Sequence, residues 1–209
     1  MGVMRASPVR LGVLASGRGS NLQAILDAID AGRCPARVVV VVSDRAGAQA
    51  LDRARRAGIE AVHLDPQAYA DRAAFDQAVL AVLTKHDVEL VCLAGFMRLL
   101  SAGFVAAFRG RILNVHPALL PAFPGLHAQR QALESGAKVS GATIHLVDEG
   151  VDTGPVVLQA AVPVLEGDTE ATLSARILVE EHRLYPEAIR LYAEGRLVVE
   201  GRRVRITGP

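Results

Sequence analysis

The sequence has no tryptophan, only two cysteines, and aromatic residues at just 4% of its 209 positions. Neither sign of charge is in excess: 23 lysines and arginines stand against 22 aspartates and glutamates, a formal net charge of +1. A nucleic-acid binder usually shows a basic balance or stripe; with neither present, no nucleic-acid partner is expected. No apolar run approaches the ~20 residues of a membrane span, so no membrane partner is expected either. Residues 1–8 contain one arginine and no apolar signal-peptide core. They read as a flexible tail, and the protein is expected to be cytoplasmic. Cys34 and Cys92 sit in apolar surroundings without metal-ligand spacing. They read as buried free thiols in a reducing compartment, and no metal is expected.

What is present is an apolar chain, 51% hydrophobic, long enough to bury one sizeable core over residues 9–209. Short β-branched runs alternate with amphipathic stretches as far as residue 115. The runs are Arg10–Ala15, Arg37–Val42, Ala61–Leu64, Leu90–Ala94 and Arg111–Val115; the helical stretches are Asn21–Ala31, Ala48–Ala57, Arg72–Lys85 and Ser101–Phe108. This alternation predicts an α/β fold, a mostly parallel, Rossmann-like sheet with helices on both faces. Ligands of such sheets bind beyond the carboxyl ends of the strands. After residue 115 the pattern changes. A proline-rich loop, Pro117–Pro124, leads to a helix near His127. Gly141–Val147 and Pro155–Ala161 read as paired strands, Thr169–Glu194 as a long helix kinked or broken at Pro186, and Leu197–Val199 with Val204–Ile206 as a hairpin.

Ser16-Gly17-Arg18-Gly19-Ser20-Asn21 follows a strand and opens a helix. Glycine lets the backbone turn sharply and approach a ligand, and a helix N-terminus offers free N–H groups to an anion. A phosphate suits this loop. A plain strand-to-helix turn capped by Ser20 or Asn21 fits it too. A dinucleotide fingerprint, with Asp44 as the ribose acid, does not, because Leu22 stands where the third glycine belongs.

Asn114 and His116 end the fifth strand two residues apart, so they point to one side at the carboxyl edge of the sheet. An amide donor beside an imidazole can hold a developing oxyanion and move a proton. An isolated Asn-x-His also fits a simple turn cap. His63, His86, His127, His145 and His182 have no such constellation and are expected to be mostly structural or surface residues. Asp152, in Val-Asp-Thr-Gly-Pro, reads by itself as a turn residue.

Together these segments resemble the phosphoribosylglycinamide formyltransferases, a folate-dependent formyltransferase family. The resemblance is carried by SGRGSNLQAI, LAGFMRLL, LNVHPALLPAFPGLHAQRQALESG, VDTGPVVLQ and EEHRLYPEAI, and runs from about Val9 to Glu194. It implies a formyltransferase-type α/β fold, with 10-formyltetrahydrofolate as co-substrate and glycinamide ribonucleotide as the amine. It implies catalytic roles for Asn114, His116 and Asp152, and ribonucleotide binding by Gly19, Ser20, Asn21 and Glu181. Folate binding would fall to Arg72, to Met97, Arg98, Leu99 and Leu100, to Asn114, and to Val147, Asp148, Glu149, Gly150, Val151 and Asp152. The family commonly has serine where this chain has Ala118. The expected assembly is a monomer or homodimer.

In the chemistry so implied, Asn114 and a protonated His116 stabilise the oxyanion formed as the amine attacks. Asp152 would favour the imidazolium, raising the His116 pKa above its ordinary ~6.5, while burial would lower it. Among rivals, a methionyl-tRNA formyltransferase should carry a further C-terminal domain and a basic surface. A formyltetrahydrofolate deformylase should carry an N-terminal regulatory domain. A non-catalytic phosphate-binding module would not need Asn114, His116 and Asp152.

Overall fold

Alternation along the first strand decides the architecture. In β1 (Val9–Leu14), Val9, Leu11 and Val13 enter one apolar core and Leu14 enters another. A strand apolar on both faces must be covered on both. The computed structural model, which describes residues 7–208, supplies that cover. Helices α1 (Ser20–Asp30), α2 (Gln49–Arg56), α5 (Ala128–Glu134) and α6 (Glu170–Ala193) pack on the first core. Helices α3 (Arg72–Lys85) and α4 (Ala102–Ala107) pack on the second. The tail expected over residues 1–8 lies outside the described residues except for positions 7 and 8.

The remaining strands are β2 (Ala36–Ser43), β3 (Glu60–His63), β4 (Leu90–Leu93), β5 (Ile112–His116), β6 (Val139–Leu146), β7 (Val156–Pro163), β8 (Leu197–Glu200) and β9 (Arg203–Ile206). They form a nine-stranded sheet in the order β3-β2-β1-β4-β5-β6-β7-β9-β8. The first five pair in parallel, as the strand–helix alternation predicts. β6 pairs antiparallel with β5 and β7, so the pattern change after residue 115 is a change of strand direction. β8 and β9 form the expected hairpin. The strand order reverses between β1 and β4, which opens a crevice at the carboxyl end of the sheet.

The break expected as one possibility at Pro186 does not occur. Helix α6 runs unbroken through Pro186. A proline inside a helix loses one backbone hydrogen bond and costs about 3 kcal/mol or more. Burial on either side offsets that cost: Leu184, Tyr185, Ala188 and Ile189 all lie in the first core. The Tyr185 hydroxyl also lies 3.1 Å from the Leu93 carbonyl oxygen and 2.9 Å from that of Leu113, which ties α6 to β4 and β5. No helix among the described residues is long and apolar enough to cross a membrane.

Candidate active site

The loops after β1 and β4 meet at the crevice. Ser16 N–H donates to the Gly95 carbonyl at 3.0 Å, and Met97 N–H donates to Ser16 Oγ at 3.0 Å. Gly19, not Ser20 or Asn21, caps α1. Its φ of 71° is left-handed, and a β-carbon there would lie 2.8 Å from Ala50 on α2. Only glycine suits both conditions. Asn21 is therefore free of capping duty and turns inward. Its Nδ2 donates to Glu181 Oε2 at 2.7 Å, while its Oδ1 is buried without a partner. Glu181 lies in the middle of α6 and is buried; burial raises its pKa, and the Asn21 bond partly opposes the rise. Gly19, Ser20, Asn21 and Glu181 thus form one corner beside the N-terminus of α1.

The second corner lies across β5 and β6. Their antiparallel register pairs Asn114 with His145 and His116 with Thr143. Alternation sends Ala142, Ile144 and Leu146 of β6 into the first core, so Thr143 and His145 face the other way, with Asn114 and His116. Asn114 Nδ2 lies 3.1 Å from His145 Nε2, and His145 Nδ1 lies 3.0 Å from the Leu146 carbonyl oxygen. The second contact has Nδ1 donating to that carbonyl, and Nε2 faces the Asn114 amide. His145 is one of the five histidines for which no constellation was legible and of which most were expected to be structural or at the surface. It is 2% exposed and lies at the centre of this cluster.

Asp152 completes it. Its Oδ2 lies 3.2 Å from His116 Nδ1 and accepts from Gly125 N–H at 2.8 Å; its Oδ1 lies 3.6 Å from His145 Nε2. Asp152 has a left-handed φ of 53°, and the neighbouring Gly154 approaches β6 so closely that a β-carbon would run into the Leu146 carbonyl oxygen. The turn that Val-Asp-Thr-Gly-Pro predicts is real, and it delivers the carboxylate to the imidazole. Burial pushes the Asp152 pKa up, but the His145 ring, the Gly125 N–H and the His116 charge outweigh it, and the net shift is down.

His116 departs from expectation. Nδ1 faces Asp152, and Nε2 lies 2.8 Å from the Phe123 carbonyl oxygen, so two acceptors favour the imidazolium. Yet the ring is 4% exposed, and burial lowers its pKa by more than Asp152 and Phe123 raise it. The net direction is below the ordinary value. Desolvation of the charged form wins over opposite-charge proximity.

Apart from Asn114 and Asp152, the residues expected to bind folate fall on the first turn of α3, on the loop after β4 and on the segment after β6. Met97 and Leu99, on the loop after β4, are 58% and 57% exposed, and Val151, on the segment after β6, is 46% exposed. Leu100 and Val147 pack at the edge of the second core. Arg98 lies over the Phe75 ring, 4.9 Å from its centre, with Nε buried and unpartnered. Arg72 is exposed on the first turn of α3, one turn ahead of Phe75. Asp148 Oδ1 accepts from Gly150 N–H and from Thr153 Oγ1, which shapes the turn, while Glu149 lies 3.7 Å from Arg109. Ala118, where serine is common, is fully buried and contributes its carbonyl oxygen, which accepts from Thr143 Oγ1 at 2.6 Å. Among the described residues, no group of three or more His, Cys, Asp or Glu is arranged to hold a metal ion.

Known proteins resemble this chain over most of its length. A solved glycinamide ribonucleotide transformylase 1 from Symbiobacterium toebii is 64% identical with a TM-score of 0.96, covering 98% of this chain and 96% of that one. The phosphoribosylglycinamide formyltransferase of Escherichia coli (strain K12) is 47% identical over 185 residues, 88% of this chain and 87% of that protein. The trifunctional purine biosynthetic protein adenosine-3 of Drosophila pseudoobscura pseudoobscura is 50% identical over 190 residues, 90% of this chain but 14% of that longer protein. The family model described as formyl transferase matches residues 9–189. By that match, the chain belongs to the formyl transferase family.

Proposed function

We propose that this protein, acting as one domain over residues 9–209 in the cytoplasm, transfers the formyl group of 10-formyltetrahydrofolate to the amine of glycinamide ribonucleotide, in purine biosynthesis. The observation that carries the reading is the meeting of Asn114, His116 and Asp152 at the carboxyl end of β5, with the His116 and Asp152 side chains 3.2 Å apart. The phosphorylated substrate lies with its phosphate against Gly19, Ser20 and Asn21 and with Glu181 on its sugar. The folate lies along Met97–Leu100 and Val147–Val151, with Arg98 and Arg72 at its acidic end.

The amine nitrogen attacks the formyl carbon, a C–N bond forms, and the formyl oxygen takes up negative charge. The Asn114 amide donates to that oxygen. The amine must lose a proton and the departing folate nitrogen must gain one. His116 enters this exchange neutral, as its burial favours; Nδ1 keeps its proton toward Asp152, Nε2 turns from the Phe123 carbonyl to the substrate and accepts the proton there, and Asp152 stabilises the imidazolium as it forms. The C–N bond to folate then breaks and the proton passes to the leaving nitrogen. Because the imidazolium arises during the reaction, Asp152 stabilises the transition state more than the ground state, the condition for raising turnover.

The test follows folate absorbance with and without the ribonucleotide amine. Formyl transfer predicts a signal only with the amine. Turnover without it would make the protein a deformylase, and binding without turnover a non-catalytic module.

A further inference from the structure

His116, Thr143 and Gln159 lie in one transverse row across β5, β6 and β7, with Thr143 paired to both neighbours. Side chains paired in this way share a face of the sheet. The Thr143 hydroxyl is fully buried and fully used. It donates to the Ala118 carbonyl at 2.6 Å, and accepts from Leu120 N–H at 3.1 Å and from Gln159 Nε2 at 2.9 Å. Gln159 Nε2 donates its second hydrogen to the Leu120 carbonyl at 2.8 Å. The amide nitrogen has two hydrogens, and both are committed.

Ala118 and Leu120 begin the loop that leaves β5. Farther along, the same loop carries the Phe123 carbonyl that His116 Nε2 meets at 2.8 Å and the Gly125 N–H that donates to Asp152. One end of the loop is thus fastened to β6 and β7, and the other end holds both groups of the candidate proton-transfer pair. Just beyond Gln159 toward the site, β7 bulges: Leu158 pairs with Ile144, but Val156 pairs with His145. Bulges beside active sites bend a strand and re-aim its side chains.

We propose that Gln159 is a positioning residue for formyl transfer, its side-chain amide fixing, through Thr143 and the Leu120 carbonyl, the loop that orients His116 against Asp152. The inference rests on the catalytic reading of His116 given above. The Gln159 hydrogen bonds go to Leu120 and Thr143, so it acts through the loop and not on the reacting atoms. The donor, rather than the shape, is what matters. A glutamate keeps the shape but, ionised, has no hydrogen to donate. Gln159 is also exposed, so its replacement opens no cavity in the core.

The test is steady-state kinetics on the full chain for Gln159→Glu, Gln159→Leu, His116→Ala and the double variant His116→Ala with Gln159→Leu. A loosened catalytic geometry predicts that each Gln159 variant loses between about ten- and a hundredfold in kcat. The KM for the ribonucleotide and the melting temperature stay at wild-type values. In the His116→Ala background, Gln159→Leu costs nothing further, because residues acting as a unit are not additive. Wild-type kcat in Gln159→Glu overturns the donor role. An undiminished loss in the His116→Ala background overturns the route through His116. Wild-type kcat in His116→Ala alone sinks the catalytic reading itself, and the inference with it.

Discussion

Asn21 and Glu181 are 160 positions apart in sequence and are joined by a buried 2.7 Å hydrogen bond. The bond closes the first helix against the middle of the last one and leaves Asn21 Oδ1 buried and unanswered beside a helix N-terminus. A buried amide oxygen without a donor is costly, and a ligand carrying hydroxyl groups removes that cost. Ser20→Ala with Asn21→Ala is expected to raise the KM for the ribonucleotide about tenfold, the scale of one or two lost hydrogen bonds, and to leave the folate KM alone. Measuring the two constants separately decides the point. A rise in the folate constant alone would mean that the loop serves the other ligand.

His116→Ala and Asp152→Asn are each expected to lower turnover by about two orders of magnitude or more, the scale of a lost proton-transfer or electrostatic partner. The melting temperature should change little in Asp152→Asn, because the asparagine still accepts from Gly125 N–H. Near wild-type turnover in either variant, in a protein that melts normally, would remove both residues from the reaction.

The parallel half of the sheet was legible because its strands are apolar on both faces, Val38 to Val42 above all, and because Gly17 and Gly95 mark the exits of β1 and β4. Asn114 and His116 were legible because alternation puts residues two apart on one side. His145 was not: its place depends on the register between β5 and β6, a pairing across 31 positions that no local pattern reports. A trace of it was present, since in the second half of β6 Thr143 and His145 alternate with the apolar Ala142, Ile144 and Leu146. Pro186 misled for the related reason that a local cost was visible and the burial that offsets it was not. The pairing of Asp152 with His116 could be expected from sequence through the family resemblance, but the depth of burial that reverses the sign of the imidazole shift belongs to the assembled fold.

Gly154 offers a purely structural test. A β-carbon there would collide with the Leu146 carbonyl oxygen, a backbone atom held in the sheet. Gly154→Ala is expected to destabilise the protein by about 2–4 kcal/mol, in the range of strain at a close backbone approach. Urea denaturation reads this directly. Activity should fall further than stability accounts for, because the displaced turn carries Asp152.

Both thiols are free and buried, as their surroundings predict. Burial pushes Cys34 up to about 11 and Cys92 higher still, so neither forms appreciable thiolate near neutrality. A thiol-reactive chromophore is expected to label neither in the native protein and both after denaturation. Rapid labelling of one site in the folded state would show that its part of the first core opens to solvent.

The sign of the His116 shift yields the last prediction. Burial lowers its pKa and Asp152 raises it, with burial the larger effect. An NMR titration of the wild type should therefore place His116 below its ordinary value of about 6.5, with His116→Asn used to assign the signal. Asp152→Asn removes the charge that supports the imidazolium, so the value should fall further in that variant. The unfolded chain binds the proton more readily than the native one. Stability attributable to this group is thus present above about pH 6.5 and is lost as pH falls toward the lower native pKa. The activity profile of kcat/KM should show an acidic limb in the same window, because the protonated ring cannot accept the proton of the amine. A wild-type pKa above 6.5 would mean that the Asp152 charge outweighs burial and that His116 enters the reaction already protonated. A higher pKa in Asp152→Asn than in the wild type would exclude the electrostatic role and leave Asp152 to act by holding the Gly125 loop in place.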